Sequence, residues 1–521
     1  MSGPPLDGPP PDWPPRPGLP DGFRIRLSPA VRVNGDRTVL SGGSPVRVLF
    51  PGPAARELLA GEEIVVRDPL SRQFADKLLG YGLAEPVLEG DGAPAPDSIT
   101  YVIPVRNRPA ALDRLLVSIG SGKRVIVVDD ASADPDAIAR TAASHGAEYL
   151  PLEVNVGPAE ARNAGLRRVL TPLVAFVDSD VVLEAGTVDS LMRHFADPRV
   201  ALVAPRILAL DTAPDSSRAA GGSGWIGRYE AARSSLDLGP RSALVQPRGT
   251  VSWLPAACVV ARVEALGPGF SAGLRVAEDV DLVWSLIGRG WRVRYDAAVA
   301  VRHDHRQAFG PWLARKAFYG TGAHELARRH GRNVAPAVLA PWSAAMLVAL
   351  LAQRRWSLPA AACLAGGTAL RLAAKLKRAP RPLPFALRLT GQGMLASLGQ
   401  GSALLLRHWW PAAAAGCLVS RRLRRAVLAA AAADVVVEYV RTGPELDIVR
   451  FGIARRLDDL AYGAGVWLGA VRGRSAGALI PEITGLSERK RASNKRRKSS
   501  PNSFAPEPAA QNLPPAAANP L

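Results

Sequence analysis

Two carboxylates, spaced two residues apart after an apolar run, could together hold a divalent cation. The run is Leu173–Val177, and Asp178 and Asp180 follow it. A short apolar run of this kind is typical of a strand buried on both faces of a parallel sheet, and open α/β sheets bind ligands at the carboxyl ends of such strands. Carboxylate oxygens are the ligands that Mg2+ and Mn2+ prefer, and a cation held there can also hold a diphosphate. Taken alone, the pair also fits an acidic turn that caps the next helix.

A second acidic group stands where a predicted helix begins. Glu278, Asp279 and Asp281 precede apolar residues at helical spacing. Free amides in the first turn of a helix stabilise negative charge and keep a carboxylate ionised. An ionised carboxylate facing a substrate hydroxyl could act as a general base. A plain helix cap is the alternative interpretation.

Two histidines follow a further predicted strand. His303 and His305 follow Val299-Ala300-Val301, with Arg302 between. The H-x-H spacing can place both imidazoles on one side of the chain, where they could join a metal site. In isolation, a surface loop is the favoured interpretation of this pattern.

Strands and helices alternate upstream of the acidic pair. The predicted strands cover residues 99–105, 124–128, 147–150 and 173–177, with helical patterns between them. Such alternation predicts an α/β fold with a largely parallel sheet. Polar clusters end three of these strands, and a nucleotide-binding crevice requires this repetition.

The flanking regions carry no evident catalytic group. Residues 1–21 are rich in proline and glycine and are expected to be disordered. Residues 22–89 predict short strands and two helices, an α+β unit of winged-helix size that could serve packing or recognition. A proline-rich linker leads to the α/β domain at residue 97.

The C-terminal part predicts an apolar helical region over residues 331–485. Phe309 to His330 reads as an amphipathic helix, and apolar stretches follow at 334–352, 356–370 and 389–406, flanked by basic residues. Two interpretations stay open: a multipass or re-entrant membrane domain, and a helical domain docked on the membrane. In the first, positive flanks indicate the cytoplasmic face.

The net charge indicates which classes of molecule the protein could bind, and the cysteine content indicates its cell compartment. The formal net charge of +19 favours anionic partners, and part of it lies in a basic tail within residues 486–521 that is expected to be disordered and to contact anionic membrane lipids. No aromatic residues interleave the basic ones there, so nucleic acid is not an expected partner. Three widely spaced cysteines suit neither a disulfide framework nor a zinc site and favour a reducing cytosol, and the first residues lack signal-peptide features.

Five motifs resemble those of family 2 glycosyltransferases with the GT-A fold. They are IPVRNR, VVDDAS, NVGPAEARNAGL, FVDSD and AEDVDL, in the family's order within residues 97–330. The resemblance implies a Rossmann-like mixed sheet, a bound Mg2+ or Mn2+, and Asp279 as catalytic base. It implies nucleotide-sugar contacts by Pro104, Arg106, Asn107, Asp129, Asp130, Arg162 and Asp178. It further implies metal ligands among Asp178, Asp180, His303 and His305, and acceptor contacts by Trp253, Glu278 and Asp281.

The whole arrangement resembles the glycosyltransferases of mycofactocin biosynthesis in actinobacteria. The N-terminal unit, with its phrase LSGGSPVRVL, is similar to the PqqD-like peptide-recognition fold. This resemblance implies a UDP-sugar donor, with glucose as the sugar, and premycofactocin or its precursor peptide as acceptor. It implies a short β-1,4-glucan as product, and a location at the cytoplasmic face of the cell membrane. A single base without a carboxylate nucleophile implies inversion at the anomeric carbon.

Two other functions stay open at this level. One is transfer from a UDP- or dTDP-sugar to a lipid-linked or cell-wall glycan, and the other is a catalytically inert peptide-binding scaffold. Synthases of long polysaccharides carry Q-x-x-R-W, whereas this chain has Gln353-Arg354-Arg355-Trp356, one residue shorter. A short oligosaccharide is therefore favoured over a long polymer.

Overall fold

The computed structural model describes residues 17–89, 94–210, 224–304 and 308–484. Within these ranges a small N-terminal unit and a helical C-terminal region flank a large mixed sheet. The predicted basic tail, His305 and residues 90–93 of the proline-rich linker lie outside the described residues.

The N-terminal unit contains two three-stranded sheets and two helices. Strands were predicted around β1, β2 and β4, whereas β3, β5 and β6 were not predicted. The order is β5-β1-β6 in one sheet and β2-β3-β4 in the other, with antiparallel pairing. The elements are β1 (Arg24–Leu27), β2 (Arg32–Asn34), β3 (Val39–Gly42), β4 (Arg47–Leu49), α1 (Pro53–Leu58), β5 (Glu63–Val65), α2 (Pro69–Gly80) and β6 (Ala84–Pro86). The winged-helix likeness stays a prediction.

Residues 17–21 were predicted to be disordered, and that prediction is wrong. Leu19 is fully buried in the core of the N-terminal unit, and its carbonyl accepts a hydrogen bond of 2.8 Å from Arg72 on α2. A single apolar side chain with a place in the core therefore orders this segment despite its Pro/Gly-rich surroundings.

The central sheet is mixed. Its order is β11-β15-β12-β14-β10-β7-β8-β9, and β13 pairs with β15. Strands β10, β7, β8 and β9 run parallel, as predicted, whereas β14 is antiparallel to both β10 and β12. The elements are β7 (Ile99–Val105), α3 (Pro109–Ile119), β8 (Arg124–Asp129), α4 (Pro135–Ser144), β9 (Glu148–Pro151), α5 (Pro158–Leu166), β10 (Leu173–Val177), β11 (Val181–Leu183), α6 (Thr187–Met192), β12 (Val200–Ala209), α7 (Trp225–Arg233), β13 (Ala243–Leu244), β14 (Cys258–Arg262), α8 (Val263–Leu266), α9 (Glu278–Gly288) and β15 (Arg292–His303).

The sheet is covered on both faces. All five residues of β10 are buried, which matches the uninterrupted apolar run seen in the sequence. Val174 and Phe176 belong to one hydrophobic cluster, whereas Leu173, Ala175 and Val177 belong to another. Because side chains alternate along a strand, β10 forms part of both layers of the core.

The helical region begins with α10 (Phe309–His330), at the predicted bounds. A short strand, β16 (Val338–Leu339), pairs in parallel with β17 (Glu482–Ile483). The helices between them are α11 (Pro341–Ala352), α12 (Ser357–Lys375), α13 (Pro382–Ala403), α14 (Trp410–Val419), α15 (Arg421–Thr442) and α16 (Ile448–Arg472).

The apolar stretch at 334–352 is not one helix, as an unbroken membrane span would require. Only its last 12 residues, those of α11, are α-helical. Pro336 lies before β16 and Pro341 opens α11, and proline cannot donate the backbone hydrogen bond that a continuing helix needs. Within the described ranges, α12 alone is long and apolar enough to cross a membrane, with a mean hydropathy of 1.2 and 11% of it buried.

Contacts across the three regions hold them together. Asp76 on α2 pairs with Arg199 and Arg292 of the central domain, each at 2.6 Å. Val39 of β3 is fully buried against Leu376 and Ala386 of the helical region. The N-terminal unit therefore packs against both of the other regions.

Candidate active site

The loops after β7 and β8 are joined by hydrogen bonds. Asn107 accepts a bond of 2.7 Å from the backbone N–H of Ala133, and its own N–H donates to Ser132 at 2.9 Å. Its φ of 57° is in the left-handed region that asparagine tolerates better than most residues. Pro104 is half-buried within β7, and Arg106 beside it is exposed. The structure thus brings these predicted nucleotide contacts to one edge of the sheet.

Asp129 and Asp130 both have partners within the chain. The carboxylate of Asp129 accepts bonds from the Ser132 N–H at 3.0 Å and the Tyr149 hydroxyl at 2.9 Å. That of Asp130 accepts from the N–H groups of Val156 and Gly157, at 2.7 and 3.0 Å. Both residues are buried and shape the loops at the crevice. Their predicted contacts with a nucleotide stay predictions.

Arg162 links the two acidic motifs. It is buried, its guanidinium lies 2.6 Å from Asp178 and 3.3 Å from Glu278, and it stacks on the Phe270 ring at 5.3 Å. Burial lowers its pKa, but the charges of Asp178 and Glu278 outweigh this effect and raise it. Arg162 therefore places a permanent positive charge between carboxylates of two different motifs. The two motifs are far apart in the chain, since Arg162 and Glu278 are separated by 116 positions.

Asp180 is paired with Arg108 and lies 3.3 Å from Nε2 of His303. Burial raises its pKa, but the hydrogen bond from His303 and the charges of His303 and Arg108 lower it to about 2. The pairing of β11 with β15 brings His303 to this position. Asp180 is therefore ionised at neutral pH.

The predicted metal ligands are only partly assembled. Asp180 and His303 are neighbours, Asp178 is engaged by Arg162, and His305 lies outside the described residues. Over the described ranges no three His, Cys, Asp or Glu side chains converge as a ready metal site. Carboxylate and imidazole donors nonetheless fit Mg2+ or Mn2+ in type.

Asp279 stands in the first turn of α9, after Ala277, whose φ is 65°. Burial, and next the charge of Glu278, raise its pKa to about 7, although hydrogen bonds from the N–H groups of Val280 and Ala256 and the charge of Arg162 act in the opposite direction. A carboxyl group with a pKa near neutrality is suited to accept a proton at physiological pH.

Asp281 has a different environment from the one expected of an acceptor contact. It is buried, and its carboxylate accepts bonds from Ser271 at 2.5 Å, Arg329 at 3.1 Å and His330 at 2.8 Å. Burial raises its pKa, but these bonds and charges lower it. Its position on the inner face of α9 makes it an anchor for the end of α10.

A cavity of about 1820 Å3 is lined by several of the predicted site residues. Its wall includes Arg162, Asp178, Trp253, Glu278, Asp279 and His303. The candidate base, the diphosphate end of the predicted donor site and the predicted acceptor contact Trp253 therefore open into one space.

Two groups at the site were not predicted from the sequence. Arg108, in the IPVRNR motif, pairs with Asp180, and its place directly after a strand was the available signal. Ser41 to Ser44 of the N-terminal unit line the cavity, and no local pattern indicated this.

Comparisons with known proteins show which family the chain belongs to. The family model described as Glycosyl transferase family 2 matches residues 100–237, and that of Glycosyl transferase family group 2 matches 173–410. Pre-mycofactocin glycosyltransferase of Mycobacterium tuberculosis is 42% identical over 475 residues, covering 89% of this chain and 98% of the relative. Succinoglycan biosynthesis protein ExoU of Rhizobium meliloti is 27% identical over 217 residues, covering 39% of this chain and 60% of the relative.

Solved structures show more distant likeness. A mannosyltransferase from Pyrobaculum calidifontis, in complex with GDP-mannose and Mn2+, is 22% identical with a TM-score of 0.34, covering 59% of this chain and 91% of that one. Residues 1–349 of TarS from S. aureus, in complex with UDP, are 15% identical with a TM-score of 0.32, covering 68% and 89%. The near full-length relative and the family models together show that the chain belongs to glycosyl transferase family 2, among the pre-mycofactocin glycosyltransferases.

Proposed function

We propose that this protein is an inverting glycosyltransferase that moves glucose from UDP-glucose to premycofactocin and extends it as a short β-1,4-glucan. One observation carries the proposal. Asp279, whose pKa is about 7, opens into the same cavity as the Asp178–Arg162 pair. A proton acceptor and a charged group suited to a diphosphate thus share one space that has room for a sugar.

The donor would lie along the edge formed by the ends of β7, β8 and β10. Arg106 and the loops shaped by Asp129 and Asp130 would contact the nucleoside. Arg162 is held by two carboxylates, so its guanidinium is already oriented near the diphosphate position before the donor binds. The donor would therefore be oriented with its sugar toward Asp279.

A divalent cation belongs to this proposal. Asp180 and His303 would hold Mg2+ or Mn2+, with Asp178 as a further ligand after a small change in its contact with Arg162. When bound, the cation would stabilise the negative charge of the departing diphosphate as a Lewis acid. Arg108 balances the Asp180 charge in its absence.

The transfer itself would be a single displacement. The acceptor oxygen attacks the anomeric carbon, the bond from that carbon to the diphosphate oxygen breaks, and UDP leaves with the electron pair. The carboxylate of Asp279 takes the proton of the acceptor hydroxyl. Because attack comes from the face opposite the leaving group, an α-linked donor gives a β-linked product.

The direct test is product formation with purified protein. Incubation with UDP-glucose, Mn2+ and premycofactocin should release UDP and give products heavier by successive hexose units in mass spectrometry. Transfer to lipid-linked glycan instead, or use of dTDP-sugars alone, would replace the proposal with a cell-wall activity. Absence of UDP release with every donor would leave a binding scaffold.

We also propose that the helical region docks on the cytoplasmic face of the membrane. Its helices expose large apolar side chains close in sequence to basic residues, including Leu358, three residues after Arg355, and Leu370 beside Arg371. Anionic lipids attract such basic residues while apolar side chains enter the interface. Carbonate washing of membranes should release a docked protein and retain one that spans the bilayer through α12.

A further inference from the structure

The cavity is larger than a donor site requires. Typical small-molecule sites enclose about 300–1,000 Å3, whereas this one encloses about 1820 Å3. Its wall extends beyond Asp279 to residues of two other regions, namely Ser41 to Ser44 and Val46 of the N-terminal unit and Phe385 and Leu389 of α13. The part of the cavity that these residues line therefore has space for a second ligand.

The part of the cavity wall formed by Ser41 to Ser44 is held rigidly. The hydroxyl of Ser44 lies 2.8 Å from that of Thr250 and accepts a bond of 2.5 Å from the Thr250 N–H. Gly43 has a φ of 74°, and a Cβ there would lie 2.4 Å from the carbonyl oxygen of Tyr81, so only glycine fits. The loop is thus held against the central domain rather than free to move.

The N-terminal unit is also fixed at a distance from this loop. Arg292 is buried and pairs with Asp76 of α2 at 2.6 Å and with Asp197 at 2.7 Å. Val39, at the start of the strand that leads into the loop, packs in the cluster formed with Leu376 and Ala386. Contacts with both the central domain and the helical region therefore fix the position of the Ser41–Ser44 wall relative to the catalytic groups.

The chemistry of the wall is mixed. Ser41, the two glycines after it and Ser44 contribute polar side chains and peptide groups to the wall, and Val46, Phe385 and Leu389 contribute apolar surface. A wall that combines apolar side chains with a few polar groups suits a compact ring compound bearing carbonyl or hydroxyl groups. Such a compound matches the non-sugar part of an acceptor better than it matches a growing glucan.

We propose that the Ser41–Ser44 loop and Val46 of the N-terminal unit bind the non-sugar part of the acceptor. The site lies in the cavity that Trp253 also lines. This inference rests on the proposed function. It gives the N-terminal unit a direct part in acceptor binding within the catalytic cavity. The acceptor hydroxyl would then be presented to Asp279 from the side opposite the donor edge.

Two exposed valines of the same small unit allow a matched test. Val46 is 58% exposed and lines the cavity, whereas Val33 on β2 is 46% exposed and does not belong to the lining residues. Val46→Asp should raise the KM for premycofactocin at least about 10-fold, since it places a charge against an apolar ring. Val33→Asp should stay within about twofold of the wild type. Equal acceptor KM values for the two variants would overturn the inference.

A labelling experiment keeps the question open to refutation if Val46→Asp fails to fold. Cys258 is buried, so replacing Cys363 and Cys417 by serine leaves no accessible thiol among the three cysteines. In that background premycofactocin should slow maleimide labelling of Val46→Cys but not of Val33→Cys, and UDP alone should slow neither. Unchanged labelling of Val46→Cys at saturating premycofactocin would refute binding of the acceptor at this part of the N-terminal unit. A wild-type enzyme without transfer activity would instead refute the proposed function.

Discussion

Arg162 and Glu278 are 116 residues apart in the chain and form an ion pair of 3.3 Å inside the catalytic domain. The same guanidinium also pairs with Asp178 at 2.6 Å. The motif after β10 and the motif that opens α9 are therefore not independent sites. A change in the charge of Asp178 or of Glu278 should alter the electrostatic environment of the other, because both carboxylates pair with Arg162.

Replacement of Arg162 should lower the free energy of unfolding. Arg162→Met leaves Asp178 and Glu278 without their shared partner, and removal of one member of a buried ion pair typically costs about 3–5 kcal/mol. The free energy of unfolding from denaturant titration should fall by that order. Arg162→Lys keeps the charge without the two-pronged geometry, so its free energy of unfolding should fall less. An unchanged unfolding curve for Arg162→Met would show that the bridge is not structural.

Asp279→Asn should separate binding from chemistry. The amide keeps the shape of the side chain but cannot accept the acceptor proton, so turnover should fall at least about 10²-fold. The dissociation constant for UDP-glucose, measured by calorimetry, should stay near the wild-type value. Asp281→Asn is the control on the same helix, because it loses charge-assisted bonds to α10 and should lower the melting temperature more than the chemical step. Near-normal turnover of Asp279→Asn would remove Asp279 from this role.

The activity should depend on pH through Asp279. Its pKa is raised to about 7 by burial and by Glu278, and the base acts only when deprotonated. The value of kcat/KM should therefore fall as the pH drops below about 7, by about tenfold per pH unit on the acid limb. The residual activity of Asp279→Asn should lack this limb. A wild-type profile of kcat/KM that stays flat from about pH 5 to about pH 8 would contradict the assignment of Asp279 as the base.

Asp180→Ala should abolish cation-dependent binding of the donor. The substitution removes the carboxylate next to His303 and leaves Arg108 unpaired. Calorimetry with UDP-glucose should show a loss of the difference between titrations with and without Mn2+. Asp304→Ala is the control, since that carboxylate is half exposed and contacts Arg114 at 3.4 Å. The same Mn2+ effect in Asp180→Ala as in the wild type would exclude Asp180 as a ligand.

The crossing of α10 and α16 should be intolerant of added volume. A Cβ at Gly465 would lie 1.8 Å from the carbonyl oxygen of Ala317, so Gly465→Ala must push the helices apart. Overpacking of this kind typically costs about 1–3 kcal/mol. Gly391→Ala on α13 meets no atom within 4 Å and should be neutral or stabilising by about 0.5–1 kcal/mol. Equal melting temperatures for the two variants would show that the crossing can relax.

Local patterns in the chain were sufficient for the parallel part of the central sheet. The apolar run of β10, the alternation with helices and the polar residues after β7, β8 and β10 predicted a sheet with a ligand edge, because strand burial and side-chain alternation are set by neighbours in sequence. The bounds of α10 follow from the same kind of pattern. An unbroken helix over 334–352, which one of the two open interpretations required, does not form, because the helix begins only at Pro341.

Contacts between distant segments were decided only by the tertiary structure. Asp279 and Asp281 have the same residue type two positions apart, yet one opens into the cavity and the other is bound by Arg329 and His330. The loop of Ser41 to Ser44 reaches the cavity through its bonds with Thr250, 206 residues away. A sequence pattern records which way a side chain leaves its own element, whereas the packing of whole elements determines what it meets there.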